Sequence, residues 1–149
     1  MRSVAGAHFL FDWDPNACVE NVPLADFYPG NAAVDIIGVD AYDAYCNPAG
    51  EPSSPGPDAF DALASEPDGL NAVTAFAAQQ GKPMSLPEWG TQATPTGMGD
   101  DGYYVQAIGR WVASNDVAFQ SYFDPGDDGI LTLSASNPNT LKAYRAAFG

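Results

Sequence analysis

Residues 81–90 read GKPMSLPEWG, and the fold turns on how this stretch divides. Gly81 followed by Pro83 is a helix stop. Upstream, Leu70, Val73, Phe76 and Ala77 recur at helical spacing, so a helix runs into that stop. Downstream, Met84–Trp89 is a short, nearly continuous apolar run, too brief for a helix and typical of a strand covered on both faces. Glu88 is the exception within it. A carboxylate between Pro87 and Trp89 at the end of an apolar strand is poorly placed for solvent and costly to bury without a role. The segment predicts a strand that ends in a functional tip.

The same grammar recurs on either side. Ala7–Trp13 (AHFLFDW), Val34–Ala41 (VDIIGVDA) and Val117–Phe123 (VAFQSYF) are further strand candidates, each opening toward polar or Gly/Pro-rich sequence. Tyr104, Ile108, Trp111 and Val112 form an apolar helical stripe behind the acidic Asp100-Asp101, which suits a helix N-terminus. Leu141, Tyr144, Arg145 and Phe148 form another, introduced by Asn137-Pro138 as cap and first helical residue. Residues 18–28 are compatible with one or two helical turns, and 47–57 (NPAGEPSSPGP) reads as a loop within one domain spanning 1–149. Four strand–helix units predict an α/β protein with a parallel sheet. Periodicity alone leaves a small doubly wound sheet and half of a (β/α)₈ barrel equally open.

Charge narrows the partners. Five Lys and Arg face 19 Asp and Glu, a formal net charge of −14. Such a field repels nucleic acid and anionic lipid and is compatible with a neutral ligand such as a carbohydrate. No stretch approaches the ~20 apolar residues of a membrane span, and the opening MRSVAGAHFLFDWD turns acidic too soon to read as a signal peptide. Cys18 and Cys46 are the only cysteines; one bridge and two free thiols are both compatible with them. With His8 the sole histidine, neither a zinc constellation nor a Ser-His-Asp triad is expected.

In a parallel α/β sheet, chemistry gathers where strands end. Those positions read Asp12-Trp13-Asp14-Pro15-Asn16, Asp40-Ala41-Tyr42, Glu88-Trp89-Gly90 and Tyr122-Phe123-Asp124. Carboxylates with large aromatics suit sugars, because rings stack on pyranose C–H faces while carboxylates take hydroxyls. Two carboxyl groups across a glycosidic bond are also the equipment for its hydrolysis. Each residue has a plainer reading: Asp14 and Asn16 as turn or cap residues, Trp13 and Tyr122 as core. Asp12, Asp14 and Asn16 match the first ligand positions of a calcium loop. Ala17 and Pro23 then replace the required Gly and Glu, so no metal site or cofactor is expected.

At these residues the sequence resembles glycoside hydrolase family 26, which contains β-mannanases, some β-xylanases and mixed-linkage β-glucanases. FDWDPN (11–16) resembles that family's fifth strand, FYPGNAAVDIIGVDAYD (27–43) its sixth, GKPMSLPEWG (81–90) its seventh and QSYFD (120–124) its eighth. The resemblance implies a half (β/α)₈ barrel, strands five to eight, in a usually secreted family. It makes Glu88 the nucleophile of a retaining hydrolase acting on β-mannan or a β-glucan. It places Trp13, Asn16, Asp40, Tyr42 and Trp89 along the sugar subsites; the strand-end pattern adds Tyr122. Asn31 departs from the Asp usual after Pro-Gly. The acid/base glutamate of such enzymes closes the fourth strand, which this chain does not include. Pairing of two copies into one barrel is therefore expected, and a non-catalytic carbohydrate-binding half-barrel is the alternative.

Overall fold

The computed structural model describes residues 3–18, 22–44, 54–125 and 129–149. Cys46 and most of the 47–57 loop lie outside them. In chain order the elements are β1 (Asp12–Trp13), α1 (Leu24–Phe27), β2 (Ile36–Ile37), β3 (Asp40–Asp43), α2 (Pro57–Ala64), α3 (Leu70–Gln80), β4 (Met84–Thr91), α4 (Gly102–Ser114), β5 (Val117–Tyr122) and α5 (Pro138–Phe148). Every strand pairing is parallel: β1 with β2, β2 and β3 with β4, and β4 with β5. β2 and β3 are two pieces of one strand, interrupted at Gly38-Val39, so the four expected strands appear as five. The result is a section of (β/α)₈ barrel wall with its helices outside.

Measured against β2–β3, strand β4 carries one residue too many; against β5 the register slips twice, first by an extra β5 residue between Met84 and Leu86. Between the pairs Ile37↔Met84 and Asp40↔Glu88, three steps along β2–β3 match four along β4. Between Leu86↔Gln120 and Trp89↔Tyr122, three steps along β4 match two along β5. Pro87 and Glu88 therefore share one place, a β-bulge that suits a proline with no N–H to give the ladder. Strict alternation from Ser85 would turn Glu88 outward and Trp89 inward. The bulge reverses both, leaving Ser85 and Glu88 on the inner face with Leu86 and Trp89 beneath the helices.

Trp89 is the hub of that outer layer. Its ring meets Tyr122 at 5.0 Å, Phe148 at 5.6 Å, Tyr144 at 6.1 Å and Tyr104 at 6.3 Å. Its Nε1–H donates to Gln120 Oε1 at 2.8 Å, which satisfies the one polar atom of a fully buried ring. Leu70 and Val73 of α3 are fully buried in the same core as Ile37 and Val39. Helix α3 stops as expected at Gly81, whose φ of +67° is the left-handed cap that only glycine adopts cheaply. Asp101 caps α4 by accepting from Tyr103 N, and Asp100 accepts from Asn139 N and Thr140 N, tying the start of α5 to the start of α4. At the foot of the sheet, Lys82 Nζ donates to the carbonyls of Asn31 (3.1 Å) and Val34 (2.6 Å). Asn31 also donates its amide to Gln80 O (3.3 Å). An aspartate could not make this bond.

Two expectations are corrected. Pro57, read as the end of the 47–57 loop, is the first residue of helix α2, where proline favours a helix. Residues 7–10 are not strand: pairing with β2 begins at Phe11 O, which accepts from Asp35 N and Ile36 N. The apolar residues of the strand segments differ in burial. Ile36, Ile37 and Leu86 are buried, whereas Phe9, Leu10 and Phe119 are 60%, 73% and 44% exposed. Cys18 is disulfide-bonded.

Two stability experiments follow. Trp89→Ala should lower the unfolding free energy by about 3–5 kcal/mol, read as an earlier denaturant midpoint, because the whole outer cluster loses its centre. Asp43 is 5% exposed and its Oδ2 has no hydrogen-bond partner. Burial, with the nearby Asp101 charge, pushes its carboxyl up to about 8. The native state thus keeps a proton that the unfolded chain releases near pH 4, and stability falls as pH rises from about 4 to about 8. Asp43→Asn should flatten that slope in thermal melts and be the more stable protein at pH 8.

Candidate active site

The inner face brings four carboxyl groups together. β1 and its continuation supply Asp12 and Asp14, β3 supplies Asp40 and Tyr42, and the bulge of β4 supplies Glu88. The Tyr42 hydroxyl donates to Glu88 Oε1 at 2.5 Å. Burial and that bond push the phenol far up, so Tyr42 stays a neutral donor throughout the range in which proteins work. Asp40 is the register partner of Glu88. Burial and the Glu88 charge raise it to about 6, and its Oδ1 is buried without a hydrogen-bond partner. Asp14 is raised to about 7 by burial, then by Asp40, Asp12 and Glu88. Asp12 is raised by burial, partly offset by a 2.5 Å hydrogen bond from Ser85 Oγ. Phe123 closes one side, its ring 6.3 Å from that of Tyr42.

The arrangement separates two chemical roles. Glu88 is a carboxylate aimed by a neutral phenol, fit to attack or to stabilise a carbon that becomes cationic. Asp40 and Asp14 are carboxyls able to hold a proton near neutrality. Among the described residues no group of three or more His, Cys, Asp or Glu side chains is arranged to hold a metal ion.

Of the residues singled out from sequence, Glu88, Asp40 and Tyr42 meet. Asn16 lies at the rim: its backbone bridges Asp40, and its Oδ1 accepts from Cys18 N at 2.9 Å, a turn-forming role. Trp13, Trp89 and Tyr122 are corrected, because all three face the helices. Trp13 packs on Phe27 (5.2 Å), Tyr28 (4.9 Å) and Phe76 (5.8 Å), opposite in alternation to Asp12 and Asp14. Trp89 is fully buried. Tyr122 stands beside it, its hydroxyl 2.6 Å from Leu131 O and 2.9 Å from Thr91 Oγ1. Asp14, which the sequence left between a strand-end site residue and a turn residue, lies on the inner face; Ser85 lies there too, and for it the sequence held no signal.

Comparison with known proteins is consistent with this geometry. The family model described as Glycosyl hydrolase family 26 matches residues 1–83, a span that includes Asp14, Asp40 and Tyr42 and ends just before β4. Among solved structures, a double mutant of the Cellulomonas fimi endo-β-1,4-mannanase superposes with a TM-score of 0.61 at 21% identity, over 94% of this chain and 31% of that one. A modular endo-β-1,4-mannanase from Cellulomonas fimi gives 0.59 at 23%, over 93% and 30%. An engineered protein gives 0.60 at 20%, over 94% and 31%. The chain thus spans a little under a third of these structures, which share its fold. No curated protein sequence matches it. With more than half of the sequence inside the family model and the sheet superposing on these mannanases, the chain belongs to glycosyl hydrolase family 26.

Proposed function

We propose that this chain carries the carboxylate side of a β-glycanase site, with Glu88 as nucleophile, acting on β-mannan or on a β-glucan of cellulose type. The observation that carries the reading is the hydrogen bond from Tyr42 to Glu88, beside an Asp40 oxygen that lacks a partner. A neutral donor on one carboxylate oxygen fixes the other for attack on an anomeric carbon. The orphaned Asp40 oxygen is an acceptor waiting for a sugar hydroxyl. Glu88 would form a glycosyl ester as the leaving oxygen takes a proton from a carboxylic acid; water would then cleave the ester and return a proton to that acid. Asp40, raised to about 6 and in register with Glu88, is able to serve as that acid. The family's β-1,4-mannanases make mannan the first substrate to try. On this reading residues 1–149 are one domain, equivalent to strands five to eight of the barrel.

A purely carbohydrate-binding role has less support, because the rings that would form its platform, Trp13, Trp89 and Tyr122, pack under the helices. Self-association fits better. Among the described residues β1 pairs only with β2 and β5 only with β4, leaving two sheet edges. Exposed Phe9, Leu10 and Phe119 would be covered by a second copy.

Reducing-sugar release from mannan, carboxymethyl-cellulose and lichenan tests the activity. Glu88→Gln should reduce it on the order of 10³-fold or more, and Tyr42→Phe about 10²-fold in kcat, both with unchanged melting. Wild-type turnover in Glu88→Gln would end the assignment. Calorimetric binding of mannan oligosaccharides without turnover in the wild type would select the binding role. Light scattering at micromolar concentration should give at least a dimer mass; a monomer would refute self-association.

A further inference from the structure

The inner face is built in two rows. The register that pairs Asp12 with Ile36, Trp13 with Ile37 and Asn16 with Asp40 sets Asp14 opposite Gly38. Ile37 pairs with Met84, so Gly38 stands opposite Ser85. The upper row is Asn16, Asp40 and Glu88; the lower is Asp14, Gly38 and Ser85. A side chain at Gly38 would leave no room, since a Cβ there falls 2.9 Å from Asp14 Oδ1, 2.9 Å from Ser85 Oγ and 3.0 Å from Pro87 Cγ. The φ of Gly38 is unremarkable, so the glycine serves close approach and not backbone conformation. The Asp14 carboxyl and the Ser85 hydroxyl thus lean over the glycine from either side, and Ser85 gives its proton to Asp12.

We propose that Asp14 is a positioning residue of the Glu88 site, acting from the row below on the charge of the Asp40–Glu88 pair, and that Gly38 is what admits it there. The proposal rests on Glu88 being the catalytic carboxylate. Asp14 itself does not touch the sugar. The groups facing it are all acidic or phenolic: Asp12 on its own strand, Asp40 and Tyr42 on β3, Glu88 on β4. Raised to about 7, Asp14 holds its proton on the acid side of neutrality and the upper row meets no extra charge from below. As pH rises through about 7 the proton leaves, and a negative charge appears under Asp40 and Glu88. A like charge at short range raises the proton affinity of both.

Carboxyl ¹³C NMR titration of the 149-residue protein reads this without any need for turnover. The Asp40 and Glu88 carbons of the wild type should show, besides their own titration, a second step near pH 7 shared with Asp14. In Asp14→Asn, and in Asp14→Ser should the first variant not fold, that step should vanish from both. Gly38→Ala, which drives a methyl against the Asp14 oxygen, should weaken it with Asp14 still present. In hydrolysis, the inflection near pH 7 in kcat should be lost in Asp14→Asn, while KM stays within about twofold. Single-step titration of Asp40 and Glu88 in the wild type, or a step near 7 that survives Asp14→Asn, would overturn the proposal. A shared step in a protein that releases no sugar at any pH would uphold the coupling and refute the catalytic reading instead.

Discussion

One extra residue in one strand decides which face of this sheet gathers the carboxyl groups. A strand of alternating parity can show either Glu88 or its neighbour Trp89 to the barrel interior, never both. The bulge at Pro87-Glu88 places the acid inside and the indole outside, and almost everything else conforms to that choice. Outside, Trp89 becomes the centre around which α4 and α5 pack. Inside, Glu88 comes into register with Asp40 and within reach of Tyr42. Proline is suited to the kink because it has no N–H to strand in the ladder. The same local irregularity thus aims the site and anchors the core.

How far the sequence could be read follows from this. The strand–helix alternation, the stop at Gly81, the proline start of α5 and the strand-end positions of Glu88, Asp40 and Tyr42 all rest on local signals, and local signals survive translation into structure. Facing is not local. Trp13, Trp89 and Tyr122 sit at strand tips, where aromatic rings fit sugar binding and core equally well. Which applies depends on the register with neighbouring strands. Asp14 stayed undecided for a different reason: an aspartate before proline after a strand is also an ordinary turn residue, and only the gap at Gly38 shows what it approaches. Ser85 carries no sequence signal at all, since a serine inside an apolar strand is commonplace until its hydroxyl is seen on Asp12.

The inner face is held together by neutralised acidity. Asp12, Asp14, Asp40 and Glu88 would repel one another strongly if all were ionised in so small a volume. Burial raises Asp12, Asp14 and Asp40, and repulsion from neighbouring carboxyls adds to the shift at Asp14 and Asp40, so protons are retained there. A hydroxyl network supplies the rest, Ser85 to Asp12 and Tyr42 to Glu88. The protons that Asp14 and Asp40 keep therefore depend on the geometry that sets these carboxyls side by side.

The clamp that Lys82 makes on the carbonyls of Asn31 and Val34 has a consequence for which polymers can approach. It fixes one of only five basic side chains at the foot of the sheet. Arg110, Lys142 and Arg145 lie on the outer helices. Among the described residues the basic side chains therefore stand away from the inner face, which carries the carboxyl groups of Asp12, Asp14, Asp40 and Glu88. On the proposed reading, an uncharged chain of mannose or glucose units would meet no like charge there, whereas a polysaccharide bearing uronic acids would face repulsion from whichever of these carboxyls is ionised.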